Sequence, residues 1–165
     1  MAAKSEYRLQ ALLGLRENAK QKAEQYLGEC LRELRDEQER QNKLEQELQT
    51  MIADRQARMR SYTEQQMRGE MSAQAIIAAN DFIERLVQKE ALQRELIDGQ
   101  KLVVEQKEEA CTGAREALVE ANQQLKAMEK HKEAWADGVK KEKARQEQDT
   151  LDELSQSAFH RPLNN

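Results

Sequence analysis

Aromatic side chains are scarce in this chain, making up 4% of its 165 residues, and it has one proline and six glycines. A large packed core needs aromatic and branched apolar mass, so the first shortage argues against a globular domain. Disordered chains are normally rich in Pro and Gly, so the second argues against disorder. No apolar run approaches the ~20 residues that span a bilayer. Lys4, Glu6 and Arg8 interrupt the stretch where a signal-peptide core would lie. The expectation is a soluble, cytoplasmic chain without direct membrane insertion. Two widely separated cysteines, Cys30 and Cys111, do not make a disulfide framework. A net charge of −4 is too small to imply nucleic-acid binding by itself.

What is present is charge, 35% of residues, above the ~25% of an ordinary domain. The abundant residues are Ala, Glu, Gln, Lys, Leu and Arg, all good helix formers. Long helices follow if the apolar residues are periodic, and in the second half they are. Alternating steps of three and four from Ile76 pass through Ala79, Ile83, Leu86, Ile97, Val104, Cys111, Ala114, Leu118, Ala121, Leu125, Met128 and Trp135 to Val139, an unbroken frame of nine heptads. This is a coiled-coil seam. Its polar members, Glu90, Gln93, Gln100, Lys107 and Lys132, weaken the core but can fix register. The first half keeps a looser frame through Leu9, Leu13, Ala23, Leu27, Cys30, Leu34, Leu44, Leu48, Met51 and Tyr62, interrupted at Arg16–Lys20 and Glu37–Gln41.

Between the halves lies Met67-Arg68-Gly69-Glu70-Met71-Ser72. Gly69 can end a helix at positive φ, and Ser72 can cap the next one. Ala75 occupies the place that a capping box gives to Glu or Gln. The reading is all-α: residues 1–165 form a single long antiparallel two-helix coiled-coil hairpin. Helix 1 runs over about 5–67, the turn over 68–72, helix 2 over 73–157 and a short tail over 158–165. A turn near residue 70 pairs positions whose numbers sum to about 141, which sets Leu44 level with Ile97, Leu13 with Met128 and Cys30 with Cys111. Apolar residues meet apolar residues in that register. The second helix then outruns the first, leaving Val139, Leu151, Leu154 and Phe159 without an internal partner, for a frayed end or for another protein.

Catalytic and cofactor patterns are missing. There is no phosphate-binding Gly-rich loop and no C-x-x-C pair, and His131 and His160 lack partners at metal-ligand spacing. His131 reads as a solvated histidine on a polar face. Two helices enclose no catalytic cleft. The expectation is no enzyme, no cofactor and no metal. Cys30 and Cys111 read first as small buried hydrophobes; a disulfide is the alternative, disfavoured in a reducing compartment.

Charge is segregated. Residues 1–22 carry five bases against two acids, a net of +3, and residues 126–145 carry seven against four, again +3. The hairpin sets these stretches side by side, so its open end is basic, while residues 23–125 carry −7. A solvated helix surface is one reading; docking on an acidic partner is the other. Nucleic acid is disfavoured, because acids are interleaved and stacking aromatics are missing.

With this plan the sequence resembles the FliJ/YscO family, the central stalk of the ATPase complex in flagellar and type III secretion systems. The likeness rests on the hairpin plan, on Met71-Ser72-Ala73 followed by Phe82-Ile83-Glu84-Arg85-Leu86, and on a Lys/Glu-rich end followed by Leu151-Asp152-Glu153-Leu154. The family pattern after the turn is aromatic-x-x-x-Leu. The resemblance implies a non-enzymatic stalk, peripheral at the inner-membrane export apparatus. Such a stalk binds and activates a hexameric export ATPase and links it to the cytoplasmic domain of the export-gate membrane protein, with export chaperones as further partners. Carried over to this chain, Lys4, Arg8, Trp135, Val139, Lys140, Lys141, Lys143, Leu151 and Leu154 are the candidates for the ATPase. Phe82, Leu86, Tyr62 and Met59 are the candidates for the gate. The alternatives are a self-associating coiled-coil scaffold and a secretion chaperone.

Overall fold

The computed structural model describes residues 6–159. It is an all-α hairpin of two long helices, α1 (Gln10–Met67) and α2 (Ala73–Phe159). Packing divides it into two compact units, one of residues 26–115 and one combining the stretches up to Gln25 and from Glu116 onward.

The turn belongs to the first unit, and the chemistry of its residues fixes it. Gly69 has φ +68°, a backbone region that side chains with a Cβ rarely enter. From there the Glu70 N–H reaches back to the Gln65 carbonyl (3.0 Å) and the Gly69 N–H to that of Gln66 (3.1 Å). These two bonds form a Schellman motif and satisfy carbonyls that the end of α1 would leave orphaned. Three residues later Ser72 starts α2, its Oγ accepting from the Ala75 N–H at 3.2 Å.

The two seams are the least exposed rows of their helices. Every seam position from Ile76 to Val139 is buried or half-buried, polar members included. In residues 26–115 the buried apolar residues are few and small or branched: Cys30, Ala79, Ile97, Val104, Cys111 and Ala114, with Leu27, Leu31 and Leu34 packed against the cysteines and Ala114. Both thiols are free, so the residues act as small apolar fillers. Burial pushes the Cys111 thiol above its ordinary range, and neighbouring Cys30 adds to the shift.

Polar seam residues reach across rather than face one another. Gln93 Nε2 donates to the Leu44 carbonyl (3.0 Å), and Gln100 Nε2 to the Glu37 carbonyl (3.0 Å) and carboxylate (2.6 Å). Lys107 Nζ lies 2.7 Å from Glu33, which raises the pKa of its ammonium. Glu90, 2% exposed, accepts from Arg55 Nε at 2.5 Å and lies 3.6 Å from Arg94. A carboxylate that deep is tolerable only when paired and hydrogen-bonded. No buried side-chain nitrogen or oxygen among the described residues lacks a partner.

The start of helix 1 differs from the sequence reading, which put it near residue 5. Among the described residues α1 begins at Gln10, and Leu9 stands before it, 39% exposed. Tyr7 is the cause: its ring packs into the second unit's core, 7% exposed. The Gln10 N–H then bonds to the Tyr7 carbonyl at 3.0 Å, closing a turn ahead of the helix. At the other end α2 continues to Phe159.

Candidate functional site

The basic stretches lie in the unit formed by the two chain ends. Its lock is aromatic. The Tyr7 hydroxyl is 2.7 Å from His131 Nδ1, and its ring centroid is 5.7 Å from that of His131 and 5.3 Å from that of Trp135. Offset aromatic pairs at this range add to the burial they bring. Trp135 and Val139 are half-buried, so both serve partly as core of this unit. His131, expected to be merely solvated, holds the hydroxyl of Tyr7. The sequence reading left Tyr7 out, although a sum of 141 sets it level with Ala134, next to Trp135 and one turn from His131.

Beyond this lock α2 runs on. Lys140, Lys141 and Lys143 are exposed and make no ion pair among the described residues, whereas Arg145 is engaged by Glu142 at 3.1 Å. That contact, with Gln146 assisting, lowers the Glu142 pKa. Leu151 and Leu154 are 66% and 60% exposed, and Phe159 is 91% exposed. Leu151 and Leu154, three residues apart, share one side of the helix. Arg8 is exposed, and Lys4 lies outside the described residues. The structure thus leaves Lys140, Lys141, Lys143, Leu151 and Leu154 presented to solvent and draws Trp135 and Val139 inward.

The turn end carries the other candidates. Phe82 is half-buried, with the Arg58 guanidinium 5.3 Å and that of Arg85 5.9 Å from its ring centroid. Both distances fit cation–π contact. Leu86 is a half-buried seam residue. Met59 and Tyr62 line a shallow groove with Asn80, Ile83 and Glu84 that does not include Phe82 or Leu86. The four residues therefore share the turn-proximal region but not one surface.

Among the described residues no helix is long and apolar enough to cross a membrane, and no group of His, Cys, Asp and Glu is arranged to hold a metal ion.

Comparison with known proteins agrees with this architecture. Residues 4–163 match the YscO-like protein family. The chain belongs to that family. A solved structure assigned as a YscO homologue, CT670 from Chlamydia trachomatis, superimposes with a TM-score of 0.84 at 25% identity, covering 94% of this chain and 95% of that one. A search of curated proteins returns no match. This YscO-like chain is a type III secretion-associated protein built on an all-α helical hairpin.

Proposed function

We propose that this YscO-like protein is a non-enzymatic central stalk of a type III export apparatus, binding and activating a hexameric export ATPase through its basic end. The observation that carries this reading is the extension of α2 beyond the Tyr7–Trp135 lock, with Lys140, Lys141 and Lys143 making no ion pair among the described residues and Leu151 and Leu154 exposed. Unpaired lysines at low ionic strength speed encounter with an acidic surface, and exposed leucines supply the apolar contact that holds it. The turn end, with Phe82 under Arg58 and Arg85, is the surface for the cytoplasmic domain of an export-gate protein. The stalk then works in the cytoplasm, peripheral at the inner membrane.

The test is ATP turnover by the export ATPase of the same system, with and without the purified chain. Stimulation is expected to saturate near one chain per six ATPase subunits. Lys140→Glu with Lys141→Glu and Lys143→Glu should abolish it while circular dichroism stays unchanged. Full stimulation by that variant would refute the basic-end reading. Absence of stimulation by the wild type, together with self-association on sedimentation, would favour a scaffold.

A further inference from the structure

α2 carries a second heptad row that the hairpin does not use. Alternating steps of four and three from Leu92 pass through Leu96, Gly99, Val103, Gln106, Ala110 and Gly113, each one position before a seam residue, with Gln106 the one polar member. All lie in the unit of residues 26–115. Leu92 and Leu96 are 61% and 59% exposed, and Leu102, beside the row, is 60% exposed. The row spans about 30 Å at 1.5 Å per residue; its members are exposed except for half-buried Val103, and its exposed large apolar side chains lie toward Leu92 and Leu96.

Two features say what covers it. The first is charge. Glu95, Asp98, Glu105 and Glu109 are exposed along its outer side and make no ion pair among the described residues. Across the row, on α1, the heptad positions Glu33, Arg40 and Glu47 are nearly balanced in charge, with Glu33 paired to Lys107, Arg40 to Glu37 and Glu47 accepting from Gln93. Apolar residues beside an acidic outer margin fit a helix whose own stripe is flanked by Lys and Arg. A second copy of this chain would bring acid against acid in a two-fold pairing. The second feature is the glycines. A Cβ at Gly99 or Gly113, as at Gly14, Gly28 or Gly138, would meet nothing within 4 Å, so no neighbour among the described residues requires glycine there. Glycine is a poor residue for a helix interior, and its use two heptads apart on an exposed row fits close approach of another backbone.

We infer that the Leu92–Gly113 face of α2 docks a basic amphipathic helix of another protein, adding a third helix to this part of the hairpin. The face is separate from the basic end, and the proposal does not depend on the ATPase reading.

The experiment uses the full chain and a fluorescent synthetic helix of about 21 residues, long enough to match the row, with Leu and Ile in heptad positions and Lys and Arg flanking them. Anisotropy titration should give saturable binding that weakens with salt. Leu92→Glu with Leu96→Glu, both at exposed sites, should weaken it roughly tenfold or more without loss of helicity. Gly99→Leu should raise the melting temperature yet weaken binding several-fold. Equal affinity for a peptide with Glu flanks would overturn the proposal, as would no binding, or binding unchanged or tightened by these variants. A dimer of the free chain that the double leucine variant dissociates would assign the face to a second copy instead.

Discussion

Glu90 and Arg55 are the pair on which a single atom's change weighs most. Arg55→Ala strands a carboxylate that is 2% exposed. Such a loss costs about 3–5 kcal/mol in a closed interior; with the Arg55 side chain 20% exposed, the lower end of that range applies. Replacing both residues, as Arg55→Met with Glu90→Leu, should restore most of the loss, and thermal melts of the three proteins followed by circular dichroism measure it. Cys111 gives a second residue-scale expectation. Its thiol is raised in the folded chain, so the folded state keeps a proton that the unfolded state gives up near pH 8.5. The associated stability is complete below that pH and is lost as pH rises through the folded value. Melting temperature should therefore fall more steeply above about pH 9 in wild type than in Cys111→Ala, and alkylation of Cys111 in the native chain should be slow.

For the helices themselves, the turn is the most sensitive joint. Gly69→Ala forces a Cβ into φ +68° and should lower stability by about 1 kcal/mol, while Ser72→Ala removes the cap on Ala75 at a cost of about 1 kcal/mol. Denaturant titration of each variant checks both. These elements were legible in the sequence because each has a local signature: a period of 3.5, a glycine, a capping hydroxyl. The α2 frame from Ile76 to Val139 is the buried and half-buried row of the helix, and the sum of 141 agrees to within a residue with the contacts of Gln93 with Glu47, Lys107 with Glu33 and Arg16 with Gln124. The start of α1 was not legible, since residues 6–9 have helix-compatible composition and the long-range hold on Tyr7 turns them aside. The weak α1 stretches at Arg16 and Glu37 looked like defects. They are instead the partners of polar residues on α2, which a seam read one helix at a time does not reveal.

Over the whole chain, charge and apolar exposure distribute the candidate surfaces. The sequence singled out the lysines and leucines after Val139, which the structure leaves exposed, but not Leu92, Leu96 and Leu102, which it leaves equally exposed. It grouped Met59 and Tyr62 with Phe82 and Leu86, which the structure divides between a groove, an arginine-flanked ring and a seam. That division predicts separable phenotypes. Phe82→Ala should reduce export with little change in melting temperature, whereas Leu86→Ala, a seam truncation, should lower stability by about 2 kcal/mol as well. A secretion assay run beside thermal melts distinguishes them.

The cross-helix ties have a mechanical meaning. Two smooth apolar helices can slide past each other by a heptad, about 10 Å, and find new apolar neighbours. Here such a slip would set Glu90 against Leu48 or Tyr62 and would part Gln100 from Glu37 and Lys107 from Glu33 in the same step. Each lost tie adds to the resistance, because all must break together. Within residues 26–115, a push or twist applied to one helix is therefore carried by both as a single keyed shaft.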